Sequence, residues 1–267
     1  MRKSIAAAIA ATCAATSACG QVHEEGAGPS VSRNYQVGNF QEVEVAGPYD
    51  VTVRTGGNPG VSAQGSQKLL DRTVVEVQGD KLVIHPQEHH SFFNWSFGSH
   101  SKASFTVTVP QLSGATIAGS GDIQVDHVRG DRFEGTIAGS GGLRVDSVEV
   151  QALKLSISGS GSAKARAGKA QSAEYSIGGS GDIDAGSVQL QQAKVSIAGS
   201  GSVKANATGT ADVSIMGAGD VDVSGGAKCS VSKAGSGSVR CSLDCLNHDG
   251  GRYAACAFSY PLLFSSP

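Results

Sequence analysis

The side chains best suited to chemistry cluster between His85 and His100. His85, His89, His90 and His100 stand there, with Phe92, Phe93, Trp95 and Phe97 among them. Imidazoles at that density could ligate a transition metal. The aromatics include the only Trp of the chain. They could lie against a glycan, a lipid surface or a protein partner. A plainer role is available: Phe92, Phe93 and Trp95 fold down to plug one end of the domain while the histidines stay in water. We prefer the plug, place partner contact second and metal ligation third, and expect no cofactor.

Carboxylates form the second set. Asp182 with Asp184, or Asp220 with Asp222, could supply paired acid and base groups for glycan cleavage. Each of these residues, however, belongs to a repeated column whose other members are Ser, Lys or Arg, and no His or nucleophile is tied to them. Gly178 to Asp184 approaches a calcium-binding nonapeptide, but Ile183 stands where a ligand Asp is required. Asp122, Asp182 and Asp220 never fall in neighbouring turns, so ~9.6 Å at best separates them. The Gly-Ser-Gly triplets lack the strand-to-helix setting of a nucleophile elbow. The expected function is therefore non-catalytic, with a polysaccharide-active enzyme as the alternative.

Six cysteines form the third set. Cys13 falls within an export signal and Cys19 is a lipidation candidate. Cys229, Cys241, Cys245 and Cys256 are disulfide candidates, and four cysteines allow three pairings. A metal reading of Cys241 and Cys245 is weaker, because only His248 lies nearby.

What must position all of these is a repeat. Gly-Ser-Gly begins at residues 119, 139, 159, 179 and 199, and related triplets begin at 217 and 235. Two places before each triplet sit Ile117, Ile137, Ile157, Ile177, Ile197 and Ile215. Aliphatic residues also recur four before, four after and six after the first Gly, and Ser, Thr and charged residues occupy the opposite parity. Alternation of this kind is the signature of strands. A turn of 20 residues at about 3.3 Å each has a perimeter near 66 Å. The expected fold is all-β: a single-domain parallel β-helix or solenoid built from ~20-residue turns. An antiparallel sandwich has no need of one triplet at fixed spacing. From Lys164 through Asp184, Lys204 and Asp222 to Arg240 the charge alternates turn by turn, which suits stacked rungs.

Residues 1–18 read as a signal peptide, with Arg2 and Lys3 ahead of an alanine-rich stretch too short to span a bilayer. Two processing routes fit. One is ordinary cleavage after Ala18. The other is lipoprotein processing before Cys19, although Thr16 stands where a lipobox prefers Leu. Residues 19–39 read as a flexible tether, 40–240 as the solenoid domain with strict repeats over 104–240, and 241–267 as a Cys-containing tail or cap. Turn signals at Gly47-Pro48 and Gly79-Asp80 separate strands outside the strict repeat, which would cap one edge of the coil.

Phe40-x-x-Val43-x-Val45-x-Gly47-Pro48-Tyr49-Asp50-Val51, then Gly79-Asp80-x-Leu82-x-Ile84, Val109-Pro110-x-Leu112 and the triplet series together resemble the putative auto-transporter adhesin head domain, or GIN domain. The resemblance covers roughly residues 40–240 and implies an exported bacterial β-helical domain. It brings no catalytic residues with it.

Net charge is -2 and no basic stripe exists, so nucleic acid is not an expected partner. An envelope or extracellular glycan or protein is. Membrane contact is expected only through a lipid on Cys19. The expected location is the periplasm, or the outer membrane and cell surface.

Overall fold

The computed structural model describes residues 29–87 and 103–242. Its first strands are β1 (Ser30–Tyr35), β2 (Glu42–Ala46), β3 (Asp50–Thr55) and β4 (Gly60–Ser66). One helical turn, α1 (Gln67–Leu70), leads into β5 (Thr73–Gln78) and β6 (Lys81–Pro86). Next come β7 (Ser104–Val109) and β8 (Gly114–Gly119). The regular coil consists of β9 (Asp122–Gly139), β10 (Gly142–Gly159), β11 (Ser162–Ala165), β12 (Gly168–Gly179), β13 (Asp182–Gly199) and β14 (Ser202–Gly217). It ends with β15 (Asp220–Ser224), β16 (Lys228–Ala234) and β17 (Ser238–Cys241).

These strands stack as a parallel β-solenoid of about 6 turns. Leu143 pairs with Ile123 below and Ala163 above, and Ile157 pairs with Ile137 and Ile177, each exactly one repeat away. The aliphatic columns therefore meet themselves turn after turn and stay buried. Each turn has three faces, because the inward parity flips twice. In β9 it flips at Asp126–His127 and again at Asp131–Arg132. The sequence columns described the first and third faces. The flips add a second interior set that a strict two-residue period hides: Val128, Val148 and Val188, with Val150, Ala170 and Leu190 two places on; beyond the next corner Phe133, Leu153, Ala173, Ala193 and Ala211 begin the third face, all buried.

Core volume is balanced within turns. Ala163, Ala165, Gly168, Ala170 and Ala173 bring little bulk to one turn. Tyr175, in the column of Leu155 and Val195, fills the space and is fully buried. Its hydroxyl has no hydrogen-bond partner, and burial pushes its pKa up from the ordinary tyrosine value.

The Gly-Ser-Gly corner is a backbone ridge. Gly139, Gly159, Gly179 and Gly199 all have positive φ, from 126° to 138°, a region that favours Gly. Each carbonyl receives the backbone N–H of the middle triplet residue one turn up, as in Ser180 to Gly159 at 2.9 Å and Ala218 to Gly199 at 2.9 Å. A side chain at these positions would strike that carbonyl; a Cβ on Gly159 would lie 2.4 Å from the oxygen of Gly139.

The N-terminal rows close the coil's first edge. β2 pairs with β6 and β8 in parallel, and β3 with β7 and β9. β4 then runs antiparallel to β7, and β5 antiparallel to β6. Beside β4 and β5, α1 buries Leu69 and Leu70 against this edge. Reversed strands end the parallel ladder, which blunts an otherwise open edge.

One boundary differs from the sequence reading. Ser30–Tyr35, placed in the tether, is strand β1, antiparallel to β4. Val31 and Tyr35 pack against the core, and Arg33 reaches Asp71 at 2.6 Å and donates to the Leu70 carbonyl at 3.3 Å. The Pro, Gly and Ser residues around this stretch masked its alternation.

At the far end Lys233 takes the place of the isoleucines and donates to the Gly237 carbonyl at 2.8 Å. Val231, in an interior column, is 49% exposed there. Cys229 and Cys241 form a disulfide that joins β16 to β17 within this last turn. Cys245 and Cys256 lie outside the described residues.

Candidate functional site

The outward columns are the surface this fold offers to a partner, and stacking decides their chemistry. Asp122, Gly142, Ser162, Asp182, Ser202, Asp220 and Ser238 succeed one another in register. Ser202 donates its hydroxyl to Asp182, and Ser238 donates its hydroxyl to Asp220 and its backbone N–H to the same oxygen at 3.1 Å. These two donors hold the Asp220 carboxyl below the usual carboxylate range. Asp122 accepts the Gly142 N–H at 2.8 Å. Small neutral donors thus alternate with carboxylates that would repel one another if adjacent.

Two further columns alternate in charge. Lys164 lies 2.6 Å from Asp184 and holds its carboxyl below the usual range. On the third face Glu134, Lys154, Glu174, Lys194 and Asp212 follow one another. Lys154 reaches Glu134 at 2.8 Å, and Lys194 reaches Glu174 at 3.6 Å. The Glu134 carboxyl is lowered chiefly by Lys154, with Arg132 adding to it. Its first four members stand 20 residues apart and Asp212 follows after 18, the spacings of the triplet series itself.

One cluster resembles catalytic machinery and came with no sequence signal. The Thr55 hydroxyl lies 2.9 Å from His127 Nε2, and His127 Nδ1 lies 3.3 Å from Asp126. The hydroxyl also lies 3.0 Å from an Asp126 oxygen and 2.9 Å from the His127 carbonyl, both better acceptors for its proton. Asp126 takes the Thr55 backbone N–H at 3.1 Å. The end of β3 is thereby fastened to the first corner of β9.

A groove of about 430 Å³ lies at the corner between the second and third faces. Val150, Ala170 and Leu190 line its floor, and Gln151, Gln171 and Gln191 line it one turn apart. It opens where 20-residue turns give way to shorter ones. β13 and β14 pair Asp184 with Lys204, but then Gln189 with Asn206 and Gln192 with Thr210.

Of the residues singled out in the sequence, His85 lies in β6, with Nε2 3.5 Å from Glu76 and Nδ1 2.9 Å from the Pro86 carbonyl. His89, His90, His100, Phe92, Phe93, Trp95, Phe97 and Cys19 lie outside the described residues. Among the described residues no three His, Cys, Asp or Glu side chains are grouped as a metal site, and no helix is long and apolar enough to cross a membrane.

No functionally curated protein matches the chain. Solved structures do. A putative adhesin from Bacteroides fragilis is 24% identical with a TM-score of 0.70, over 80% of this chain and 97% of that one. A putative adhesin from Parabacteroides distasonis is 22% identical with a TM-score of 0.64, over 79% and 96%. A putative lipid binding protein from the same species is 24% identical with a TM-score of 0.62, over 80% and 97%. These likenesses share the solenoid. The model of one family, putative auto-transporter adhesin, head GIN domain, matches residues 39–227, and the chain belongs to that family.

Proposed function

We propose that this is an exported, non-catalytic β-solenoid that works as an adhesin-like binding or scaffold module of the cell envelope, held by a lipid on Cys19. The observation carrying this reading is the engagement of its outward carboxylates. Asp182, Asp184 and Asp220, the acids a glycan-cleaving enzyme would need free, are bound by Ser202, Lys164 and Ser238 of adjoining turns. What they build is a rigid, regular polar surface, suited to contact and not to turnover. Family membership supports the same direction.

Protease shaving of intact cells tests it, with Cys19→Ala beside the native chain and attachment measured in parallel. The reading expects cleavage of the native domain on intact cells, release of the variant as soluble protein, and loss of attachment with it. Cleavage only after the envelope is opened would replace adhesion with a periplasmic scaffold role. Turnover of an envelope glycan that disappears in Asp182→Asn or Asp220→Asn would replace both with the enzyme.

A further inference from the structure

We infer that the groove at the second corner is a binding site for a neutral, extended oligosaccharide. The inference rests on the adhesin-like reading and gives that reading a ligand class and an address.

The floor is apolar and reachable. Val150 and Ala170 are 8% and 7% exposed although they belong to an interior column, whereas Leu190 is 2% exposed. Ala170, between two larger neighbours, leaves the hollow. A pyranose ring presents a patch of C–H groups that fits such a floor.

The walls are primary amides. Gln151, Gln171 and Gln191 occupy one column, at the rung spacing of about 4.8 Å. Each amide offers both a donor and an acceptor, the pair that a vicinal diol requires. Gln151 gives its N–H to Asp131 at 3.0 Å, and its side-chain carbonyl keeps its acceptor capacity. The side chains of Gln171, Gln189 and Gln191 make no hydrogen bond among the described residues. Sugar rings of an extended β-linked chain recur along the chain at a spacing close to that of the rungs. Successive rings can therefore meet successive amides.

Other ligand classes fit less well. Lys169 is the one charged side chain in the lining, too little for a polyanion. A peptide strand would need a free sheet edge. The groove has none, because β12 is paired with β10 on one side and β13 on the other.

The test uses the full chain and three neutral probes: cellohexaose, chitohexaose and mannohexaose. Saturation-transfer NMR and calorimetry read the binding. At least one probe should bind at millimolar concentration. Gln171→Ala with Gln191→Ala should weaken it about tenfold, in keeping with the loss of net hydrogen bonds. Ala170→Leu, which fills the floor, should abolish it. Both glutamines are exposed, so circular dichroism should be unchanged in that double variant. The inference is overturned if no probe binds, or if binding survives the glutamine and Ala170 variants alike. Cell attachment separates the two levels. Attachment that persists in Gln171→Ala with Gln191→Ala, alongside sugar binding that never occurs, removes the groove and keeps the adhesin-like reading. Attachment that is the same without the whole domain removes that reading itself.

Discussion

A Cβ on Gly199 would stand 2.1 Å from the carbonyl oxygen of Gly179, one turn below. Gly199 also has φ of 138°. The triplet is thus required by two independent constraints, conformation and contact. Gly199→Ala should cost ~3 kcal/mol or more, since a strained backbone and a forced rung separation act together. Ser200→Ala, on the exposed middle position, should stay within about 0.5 kcal/mol. Urea denaturation of the two variants checks this, and equal midpoints would contradict it.

Tyr175 carries a buried hydroxyl without a partner. Tyr175→Phe should therefore raise stability by about 1–2 kcal/mol, the cost of an unsatisfied buried group. Tyr175→Ala should lower it by about 3–5 kcal/mol through the cavity left among small neighbours. Opposite signs for the two substitutions are the signature to look for in thermal melts.

Lys154 sits between Glu134 and Glu174 in the third-face column. Lys154→Glu places three carboxylates in succession and should destabilise by roughly 1 kcal/mol. Raising the salt concentration should recover part of that loss, because the repulsion is between exposed charges. A salt-independent loss would point to packing of the lysine stem instead.

Asp184 and Glu134 have carboxyl pKa values held below those of the unfolded chain, chiefly by Lys164 and Lys154. Groups with a depressed folded pKa contribute stability above the unfolded value and lose it as pH falls through the folded one. Stability should thus hold from neutrality to about pH 4, the unfolded carboxylate range, and decline below it. Both acids are about a third or more exposed, so each pair contributes under about 1 kcal/mol. Lys164→Met should flatten the acid limb slightly, as read by denaturant midpoints at stepped pH.

Cys229 and Cys241 are joined across 12 residues of the last turn. Closing so short a loop is worth about 3 kcal/mol in the chain-entropy account. Cys229→Ser with Cys241→Ser should speed amide exchange in β16 and β17 while leaving β9 and β10 protected, since turns contact only their neighbours. Uniform acceleration throughout would mean that the coil unfolds as one unit.

Much of this architecture was readable beforehand, and what escaped did so for definite reasons. The isoleucine column and the triplet recur at fixed intervals, so register followed from arithmetic. The second face escaped because parity flips at Asp126–His127 and Asp131–Arg132 break the alternation. β1 escaped because its neighbours are turn formers. Thr55 and Asp126 are 71 residues apart and share no local pattern. The groove arises from an offset between β13 and β14, a property of two stacked rungs and of neither alone. The disulfide was one of three open pairings until the last turn placed Cys229 and Cys241 side by side.

The alternating third-face column gives this coil a parity of its own. Remove residues 142–161 and Glu134 would meet Glu174; remove 162–181 and Lys154 would meet Lys194. Remove both and Glu134 meets Lys194, so this column reads on unchanged, while in the first-face column Asp122 would meet Asp182. For the third face the interchangeable module is therefore two turns and not one. A gene that lengthens or shortens by unequal exchange would keep that column's alternation through even steps, and each step would be judged by every column it cuts.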